Sequence, residues 1–244
     1  MNLTIPFRIN SDLDPDTLRS AFRTAGRLHI PDFLDPEGAE ALHHHLLQEV
    51  EWSYFLFSRN HLWEVPPEKR SLYSPEQDRA LAELAHSAGR EGYAFLYETN
   101  RLTTRRDDGA LQRAQPDGLL KTFGAFLNSP SFIDFVRRLT AAGDIEWVEA
   151  TATRFREGHF LAFHDDSCTG SRRIAYVINL TREWRPEWGG LLEFMSSTGH
   201  IAEAYVPRFN SLNIFQVPMA HAVSCVSPSA GGPRLAISGW LHGE

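Results

Sequence analysis

From residue 145 onward, short apolar segments alternate with turn residues along the chain. This pattern predicts eight β-strands. We place them at about 146–156, 159–164, 172–180, 190–195, 200–206, 209–216, 221–227 and 234–242. Many short strands separated by turns are typical of a jelly roll or a barrel, and this is the architecture that we predict for the second half of the chain.

Two of the predicted strands alternate between a bulky apolar face and a smaller or more polar face. In segment 172–180 the bulky positions are Ile174, Tyr176, Ile178 and Leu180. The positions between them are Arg173, Ala175, Val177 and Asn179. In segment 234–242 one face carries Arg234, Ala236, Ser238 and Trp240, and the other carries Leu235, Ile237 and Leu241. We therefore expect each strand to pack one face against helices and to turn the other toward a cavity.

The first half of the chain differs, because its apolar residues often recur at helical spacing. Its pattern predicts helices at about 36–50, 75–88, 119–127 and 131–142, and short strands at 28–34, 52–57 and 93–97. The polar segment 99–115 is predicted to be a mobile loop, with a lid over the substrate as a second interpretation. The expected fold is mainly β with flanking helices. We expect a single domain over 1–244, in which a helical region (1–145) supports a double-stranded β-helix, or jelly roll (146–243).

Composition and charge narrow the partners and the compartment. The formal net charge of the 244-residue chain is −7, which argues against nucleic acid or an anionic membrane as the main partner. No apolar run approaches the roughly 18 residues of a membrane span, and residues 1–8 lack the pattern of a secretory signal. The two cysteines, Cys168 and Cys225, fit a reducing, cytoplasmic location. Both are expected to be small buried side chains, with thiolate ligation of a metal as the alternative.

The candidate chemistry begins at His164 and Asp166. Side chains two residues apart on an extended segment share a face, so both residues can reach the same metal ion. Asp165 competes with Asp166, but strand alternation turns it away from His164. His221 is the candidate third ligand. Two histidines and one carboxylate on one side of an ion leave the other side open, as in the facial triad of non-haem Fe(II) oxygenases.

Arg234 is the candidate for binding an anion. Its guanidinium is always charged and can bind a carboxylate through two hydrogen bonds. It would anchor the far carboxylate of a dicarboxylic keto acid whose other end chelates the metal. The run 43–45 is a weaker metal candidate, since three consecutive helical histidines splay over about 200° and cannot all reach one ion.

Taken in order, these motifs resemble the 2-oxoglutarate/Fe(II)-dependent dioxygenases, and most closely their prolyl-hydroxylase branch. The residues that carry the resemblance are His164, Asp166, His221, Arg234, Trp184 and the segments 172–180 and 189–194. The two segments are similar to the strands that lie between the metal ligands of that branch. The resemblance covers roughly residues 149–243 well and the first half weakly.

The resemblance implies an enzyme that uses Fe(II), 2-oxoglutarate and O₂, with ascorbate as a candidate reductant. Such an enzyme hydroxylates an unactivated C–H bond and releases succinate and CO₂. The substrate would be a prolyl residue in a peptide or protein, or a small molecule such as a free amino acid. We expect a monomer or a homodimer.

The resemblance also implies contacts around the metal. Asn179, Phe155 and Val177 are expected to contact the cosubstrate. Trp240 and Arg172 are expected to contact the substrate. Relatives carry tyrosines where this chain has Asn179 and Phe155. An asparagine amide can still donate a hydrogen bond, whereas a phenylalanine ring cannot.

Two other classes of protein could use the same ligands. A cupin-like jelly roll would bind a metal without turnover, but it would not need Arg234. A zinc hydrolase would need a general base beside the triad, and neither such a base nor an HExxH helix is apparent in the sequence.

Overall fold

The computed structural model describes residues 7–105, 111–113, 118–167 and 170–243. The α-helices are Pro15–Ala25 (α1), Pro36–Gln48 (α2), Pro67–Arg70 (α3), Pro75–Gly89 (α4), Leu119–Leu127 (α5) and Pro130–Thr140 (α6). The strands of the first half are Arg27–Ile30 (β1), Ser53–Ser58 (β2), His61–Val65 (β3), Phe95–Arg105 (β4) and Leu111–Arg113 (β5). Those of the second half are Ile145–Val148 (β6), Ala150–Phe155 (β7), Phe160–His164 (β8), Arg172–Asn179 (β9), Leu192–Met195 (β10), Ile201–Tyr205 (β11), Ser211–Gln216 (β12), His221–Val223 (β13) and Arg234–Gly243 (β14).

The strands form one antiparallel sheet that curls around a central cavity. Its order is β1-β12-β9-β14-β7-β4-β8-β13-β10-β11, with β2 and β5 also paired to β4, β3 to β2, and β6 to β14. Strands from both ends of this order line the cavity. The predicted fold, a mainly β jelly roll with flanking helices, is confirmed. All eight strands predicted for the second half are present, and segment 146–156 divides into β6 and β7.

Four helices, α1, α2, α4 and α6, begin where a short polar side chain accepts a hydrogen bond from a free backbone amide. The Asp14 side chain accepts a hydrogen bond from the amide of Asp16 at the start of α1, and Gly26 ends that helix with a positive φ of 68°. Ser74 and Gln77 form a reciprocal capping box at the start of α4. Asp35 caps α2, as its sequence predicts.

The main hydrophobic core lies between the helices and one face of the sheet. The bulky face of β9 and the apolar face of β14 both belong to it, and they contribute Ile174, Tyr176, Ile178, Leu235, Ile237 and Leu241. The helices contribute side chains that are fully buried, among them Phe22, Leu42, Leu46, Phe123 and Val136. Each such side chain stabilises the fold by about 1.5–3 kcal/mol relative to an exposed one. The opposite face of the two strands packs toward the cavity, where Ala175, Val177 and Ala236 form a second cluster. The predicted division of the two faces is confirmed.

The prediction of a loop over 99–115 is wrong for the residues of this segment that the structure describes. Residues 99–105 belong to β4, and 111–113 form β5, which pairs with it. The strand accommodates some of these polar side chains through hydrogen bonds inside the sheet, although the buried Thr99 Oγ1 has no partner among the described residues. Thr103, for example, is buried and donates a hydrogen bond of 2.9 Å to the carbonyl of Val148. The rest of the predicted loop, 106–110 and 114–115, lies outside the described residues.

The first half of the chain is therefore only partly helical. Its strands β1 and β4 pair with β12, β7 and β8 of the second half, so that both halves build one sheet. Within the described ranges, no helix combines the length and the apolar character needed to cross a bilayer.

Glu98 is a buried carboxylate on β4 that is surrounded by arginines. It accepts hydrogen bonds from Arg70 of α3 and Arg154 of β7, and Arg156 Nη2 lies 2.8 Å from its Oε1. Burial raises the pKa of Glu98, but the hydrogen bond from Arg154 and the charge of Arg156 outweigh burial and hold the pKa below its usual value. This cluster joins the layer of α3 and α4 to the sheet.

Glu98→Gln is expected to lower the free energy of unfolding by about 3 kcal/mol at pH 7, because it removes the buried carboxylate that three partly exposed arginines share. The ionised carboxylate stabilises the fold above its unfolded pKa of about 4.3, and this stabilisation is lost as the pH falls through the lower folded pKa. The difference between the two proteins should therefore shrink at acid pH. Urea denaturation at pH 7 and at acid pH measures the free energy of unfolding of each protein.

Glu76→Gln is the matched control. Glu76 pairs with Arg79 at 2.8 Å on the exposed surface of α4, so its loss should change the unfolding free energy by less than about 1 kcal/mol. Equal losses in the two variants at pH 7 would contradict the role assigned to Glu98.

Candidate active site

The candidate site lies where β8 pairs with β13. His164 ends β8, His221 begins β13, and the antiparallel register places the two residues directly opposite each other. Their ring centroids are 4.2 Å apart. Residues that are directly opposite in an antiparallel pair share a face, so both imidazoles point into the central cavity.

Asp166 joins the two histidines from the turn that follows β8. Its backbone lies in the left-handed region, with φ 62°, which aspartate tolerates better than most residues do. Its Oδ1 is 3.4 Å from His164 Nε2, and its Oδ2 is 3.5 Å from His221 Nε2. Strand alternation is thus the wrong physical reason for selecting Asp166, because the strand ends at His164 and a turn brings the carboxylate back.

The competing carboxylate faces solvent. Asp165 is exposed and accepts hydrogen bonds from the amide and the hydroxyl of Ser167, at 3.0 and 2.7 Å. The ligand atoms of His164, Asp166 and His221 all lie within 4.8 Å of one another, a spacing at which they could hold one metal ion. The structure therefore brings together the three residues that the sequence selects.

Backbone carbonyls fix the orientation of both imidazoles. His164 Nδ1 lies 3.0 Å from the carbonyl oxygen of Ala162, and His221 Nδ1 lies 2.7 Å from that of Met219. A carbonyl oxygen can only accept, so each Nδ1 carries the hydrogen and each Nε2 keeps its lone pair toward the centre of the site. This is the usual way in which metal-binding histidines are oriented.

The protonation states also suit a metal. Burial and the neighbouring His164 lower the pKa of His221 to about 4, so that its imidazole is neutral near pH 7. Burial raises the pKa of Asp166, but its interactions with His164 and His221 outweigh burial and hold this pKa below its usual value. Burial lowers the pKa of His164, yet its contact with Asp166 raises this pKa above the usual value.

Trp240 holds the carboxylate of Asp166 from the side. Its indole Nε1 donates a hydrogen bond of 2.8 Å to Asp166 Oδ2. The Arg172 guanidinium lies over the indole ring at 3.5 Å, and its Nη1 is 3.7 Å from Asp166 Oδ1. Both residues were predicted to contact substrate. The structure places them against Asp166, where they limit the positions that its carboxylate can adopt.

Arg234 is a buried cation without a counter-charge among the described residues. Only 2% of its surface is exposed, its Nε has no hydrogen-bond partner, and burial lowers its pKa to about 10. Its guanidinium carbon lies 5.2 Å from the centre of the Phe155 ring. Gly190, with φ 64°, leaves space for it, because a Cβ there would lie 3.2 Å from Arg234 Cδ.

The cavity between Arg234 and the triad suits a small dianion. Apolar side chains line much of it, among them Phe155, Val177, Leu192, Phe215 and Val223. A buried guanidinium in such surroundings is costly unless an anion pairs with it. A keto acid with a second carboxylate would supply that anion at one end and metal-binding oxygens at the other. The residues present therefore fit both Fe(II) and 2-oxoglutarate.

Asn179, a predicted cosubstrate contact, is not among the described residues that line the cavity. It is fully buried, its Nδ2 donates to Ser211 Oγ at 3.2 Å, and its Oδ1 has no partner. It shares a face of β9 with Val177 but lies at the end of the strand, beyond the cavity. Position along the strand, which alternation does not report, explains the difference.

Tyr97 of β4 lines the cavity, although its sequence context did not single it out. Its ring is stacked on Phe155, with centroids 4.9 Å apart and planes 8° from parallel. The alternation of residues 93–97 does predict a strand. The pairing of β4 with β7, which brings Tyr97 into the site, joins segments more than 50 residues apart and leaves no local signal.

Cys225 is not among the described residues that line the site. Cys225 is exposed, contrary to expectation, because it follows β13 in a loop at the surface. Cys168 lies outside the described residues.

Trp240→Phe is expected to lower the affinity of the triad for a divalent metal ion by about 10- to 100-fold, because Asp166 loses the hydrogen bond that orients it. The phenyl ring keeps an aromatic surface under Arg172. Titration of the apoprotein with Co(II), followed by its absorption spectrum, measures the affinity.

Trp63→Phe serves as the control, since Trp63 is an exposed residue of β3 away from the triad. Its metal affinity should equal that of the wild type. An unchanged affinity in Trp240→Phe would refute the orienting role.

Comparison with known proteins identifies a family that the second half of the chain resembles. Residues 150–242 match the model of the 2OG-Fe(II) oxygenase superfamily. Prolyl 3-hydroxylase OGFOD1 of Xenopus laevis is 36% identical over 122 residues, which cover 46% of this chain and 24% of that protein. This chain thus spans about a quarter of the length of that relative.

Solved structures extend the likeness in fold to nearly the whole chain. An oxidoreductase of the 2OG-Fe(II) oxygenase family from Burkholderia pseudomallei has a TM-score of 0.65 at 13% identity, covering 96% of this chain and 93% of that chain. A prolyl hydroxylase in complex with a hypoxia inducible factor peptide fragment, from Trichoplax adhaerens, has a TM-score of 0.58 at 14% identity, covering 93% and 88%. Residues 150–242 therefore match the model of the 2OG-Fe(II) oxygenase superfamily and are similar in sequence to a prolyl 3-hydroxylase, and the fold of the whole chain is similar to that of solved structures of such oxygenases.

Proposed function

We propose that the protein is an Fe(II)- and 2-oxoglutarate-dependent dioxygenase that hydroxylates an unactivated C–H bond. One observation carries the proposal. A buried guanidinium, which has no anionic partner in the described part of the chain, and a cluster of two histidines and one aspartate face the same largely apolar cavity. This combination matches a small keto dianion that binds a metal at one end and an arginine at the other.

In this proposal His164, Asp166 and His221 hold Fe(II) on one face and leave the opposite face open. Bound Fe(II), with 2-oxoglutarate and O₂, supplies the oxidising chemistry that hydroxylates the substrate and yields succinate and CO₂. The carbonyls of Ala162 and Met219 keep each Nε2 directed at the metal position.

The other residues of the cavity position the cosubstrate and exclude water. Arg234 binds the far carboxylate, and Phe155 packs beside its guanidinium. Val177 contributes to the apolar wall, which strengthens the ion pair because little water competes for it. Arg172 and Trp240 keep Asp166 in place at the mouth of the site.

The substrate that we propose is a prolyl residue in a peptide or protein. The likeness to a prolyl 3-hydroxylase, and in fold to a prolyl hydroxylase that carries a bound peptide, supports this class over a free amino acid. With two cysteines in 244 residues, the composition supports a reducing compartment such as the cytoplasm.

A metal-binding jelly roll without turnover is the weaker alternative. Such a protein gains nothing from a buried arginine opposite the metal position, and burying an uncompensated guanidinium costs stability. A zinc hydrolase is weaker still, since it would use neither Arg234 nor the keto-acid-sized space beside it.

The function is tested with a panel of prolyl-containing peptides, supplied with Fe(II), 2-oxoglutarate and O₂. We expect succinate to form, and one peptide class to gain the mass of one oxygen atom. His221→Ala should abolish both signals, because it removes a metal ligand, and it should bind Co(II) more weakly. Turnover that persists in His221→Ala, or release of succinate without Fe(II), would overturn the proposal.

Arg234 is tested by its selectivity between cosubstrates. 2-Oxopentanoate has the chain length of 2-oxoglutarate but ends in a methyl group. The wild-type protein should prefer 2-oxoglutarate by about 100-fold in kcat/KM, since a desolvated charge pair contributes roughly 2–5 kcal/mol. Arg234→Met should abolish most of that preference.

The metal affinity of Arg234→Met should remain that of the wild type, because the guanidinium does not contact the triad. A variant that still prefers 2-oxoglutarate strongly would show that another residue binds the far carboxylate. Loss of Co(II) binding in this variant would instead assign Arg234 a structural role.

A further inference from the structure

Arg234, Phe155 and Tyr97 form a row across three neighbouring strands. Arg234 of β14 pairs directly with Phe155 of β7. The register of β4 against β7, in which Glu98 is opposite Arg154, places Tyr97 beside Phe155. The two rings are stacked at 4.9 Å, so the phenol of Tyr97 is held in a fixed orientation next to the ring that lacks a hydroxyl.

The hydroxyl of Tyr97 is available for a ligand. It makes no hydrogen bond to any residue that the structure describes, although the side chain is half-buried and lines the cavity. Burial, followed by the nearby Tyr93 and Asp166, raises the pKa of Tyr97, so the phenol stays protonated and remains a hydrogen-bond donor. A hydroxyl at the wall of a cavity without a protein acceptor is free to donate a hydrogen bond to a bound anion.

Most other donors of the cavity are already used. Trp240 donates to Asp166, and the hydroxyl of Tyr176 donates to the carbonyl of Glu149 at 3.0 Å. Thr153 Oγ1 donates to the carbonyl of Ala236 at 3.4 Å. Among the described side chains that line the cavity, the hydrogen-bond donors left without a protein acceptor are those of Arg234, Tyr97 and Ser238.

We propose that the Tyr97 hydroxyl donates a hydrogen bond to the carboxylate of the bound keto acid at the end toward His164 and Asp166. Phe155 stands between Tyr97 and Arg234, and each strand step is about 4.8 Å, so the two donors serve different ends of the ligand. Tyr97 thereby supplies from β4 the phenol that Phe155 does not supply from β7. This inference rests on the proposed function, because it assumes that the keto acid binds in the cavity.

Calorimetric titration of the Mn(II)-loaded protein with 2-oxoglutarate tests the inference without turnover. Tyr97→Phe removes one oxygen atom and keeps the stack on Phe155. Its Kd for 2-oxoglutarate should rise by about 10- to 100-fold, the range expected for a hydrogen bond to a charged group. Its Kd for 2-oxopentanoate should rise by the same factor, because that ligand keeps the carboxylate at the metal end. The affinity for Mn(II) should not change.

Two variants serve as controls. Tyr73→Phe removes a phenol that packs in a different cluster, against α4 and β2, and should bind 2-oxoglutarate as the wild type does. Ser238→Ala removes the competing donor. A large loss in Ser238→Ala with none in Tyr97→Phe would assign the hydrogen bond to Ser238 and overturn the inference.

The remaining outcomes separate the inference from the proposed function. Wild-type protein that binds 2-oxoglutarate, beside Tyr97→Phe with an unchanged Kd, would refute the role of Tyr97 alone. A loss in Tyr97→Phe for 2-oxoglutarate but not for 2-oxopentanoate would place the hydroxyl at the Arg234 end, which also overturns the assignment. Wild-type protein that binds neither keto acid would refute the proposed function itself.

Discussion

The cavity is organised around a buried positive charge that has no anionic partner among the residues that the structure describes. Arg234 is almost fully buried, and Gly190 and Phe155 shape the space around its side chain. Folding alone gains little from this arrangement, because the guanidinium loses water and acquires no counter-ion. The arrangement becomes favourable when an anion enters. The surroundings of Arg234 are thus better explained by a ligand than by the stability of the fold.

The metal position depends on a second, more local constraint. Strand pairing sets the distance between the two histidines, and backbone carbonyls set the orientation of their imidazole rings. Asp166 lies outside that framework, on a turn with a left-handed backbone, and needs support of its own. The indole of Trp240 and the guanidinium of Arg172 provide it. Trp240 and Arg172 therefore orient the carboxylate of Asp166.

Much of the fold can be predicted from the sequence because alternation is a local property. The two faces of β9 and β14 follow directly from the sizes of successive side chains, and so does the fact that Arg234 and Trp240 share a face. The order of the motifs also indicates which histidines and which aspartate come together. None of these inferences needs the three-dimensional pairing of distant strands.

The rest depends on pairing and on backbone detail that a single sequence does not report. The polar stretch of β4 looks like a loop because a partner such as the Val148 carbonyl, which accepts from Thr103, is available only after the sheet has formed. Asn179 shares a face of β9 with Val177 but is not among the described residues that line the cavity, and Tyr97 enters the site from a strand in the other half of the chain. The turn at Asp166 places its carboxylate beside the two histidines, as predicted, but through a backbone conformation that strand alternation does not describe.

The two ends of the cavity are built by different strands of the sheet. The triad is at β8 and β13, whereas Arg234 is on β14, with β7 and β4 between them in the strand order. A molecule bound at both ends would bridge these strands and oppose their separation. Ligands that bind only the folded state shift the folding equilibrium in its favour. A ligand that bridges the two ends would therefore raise the free energy of unfolding as its concentration rises.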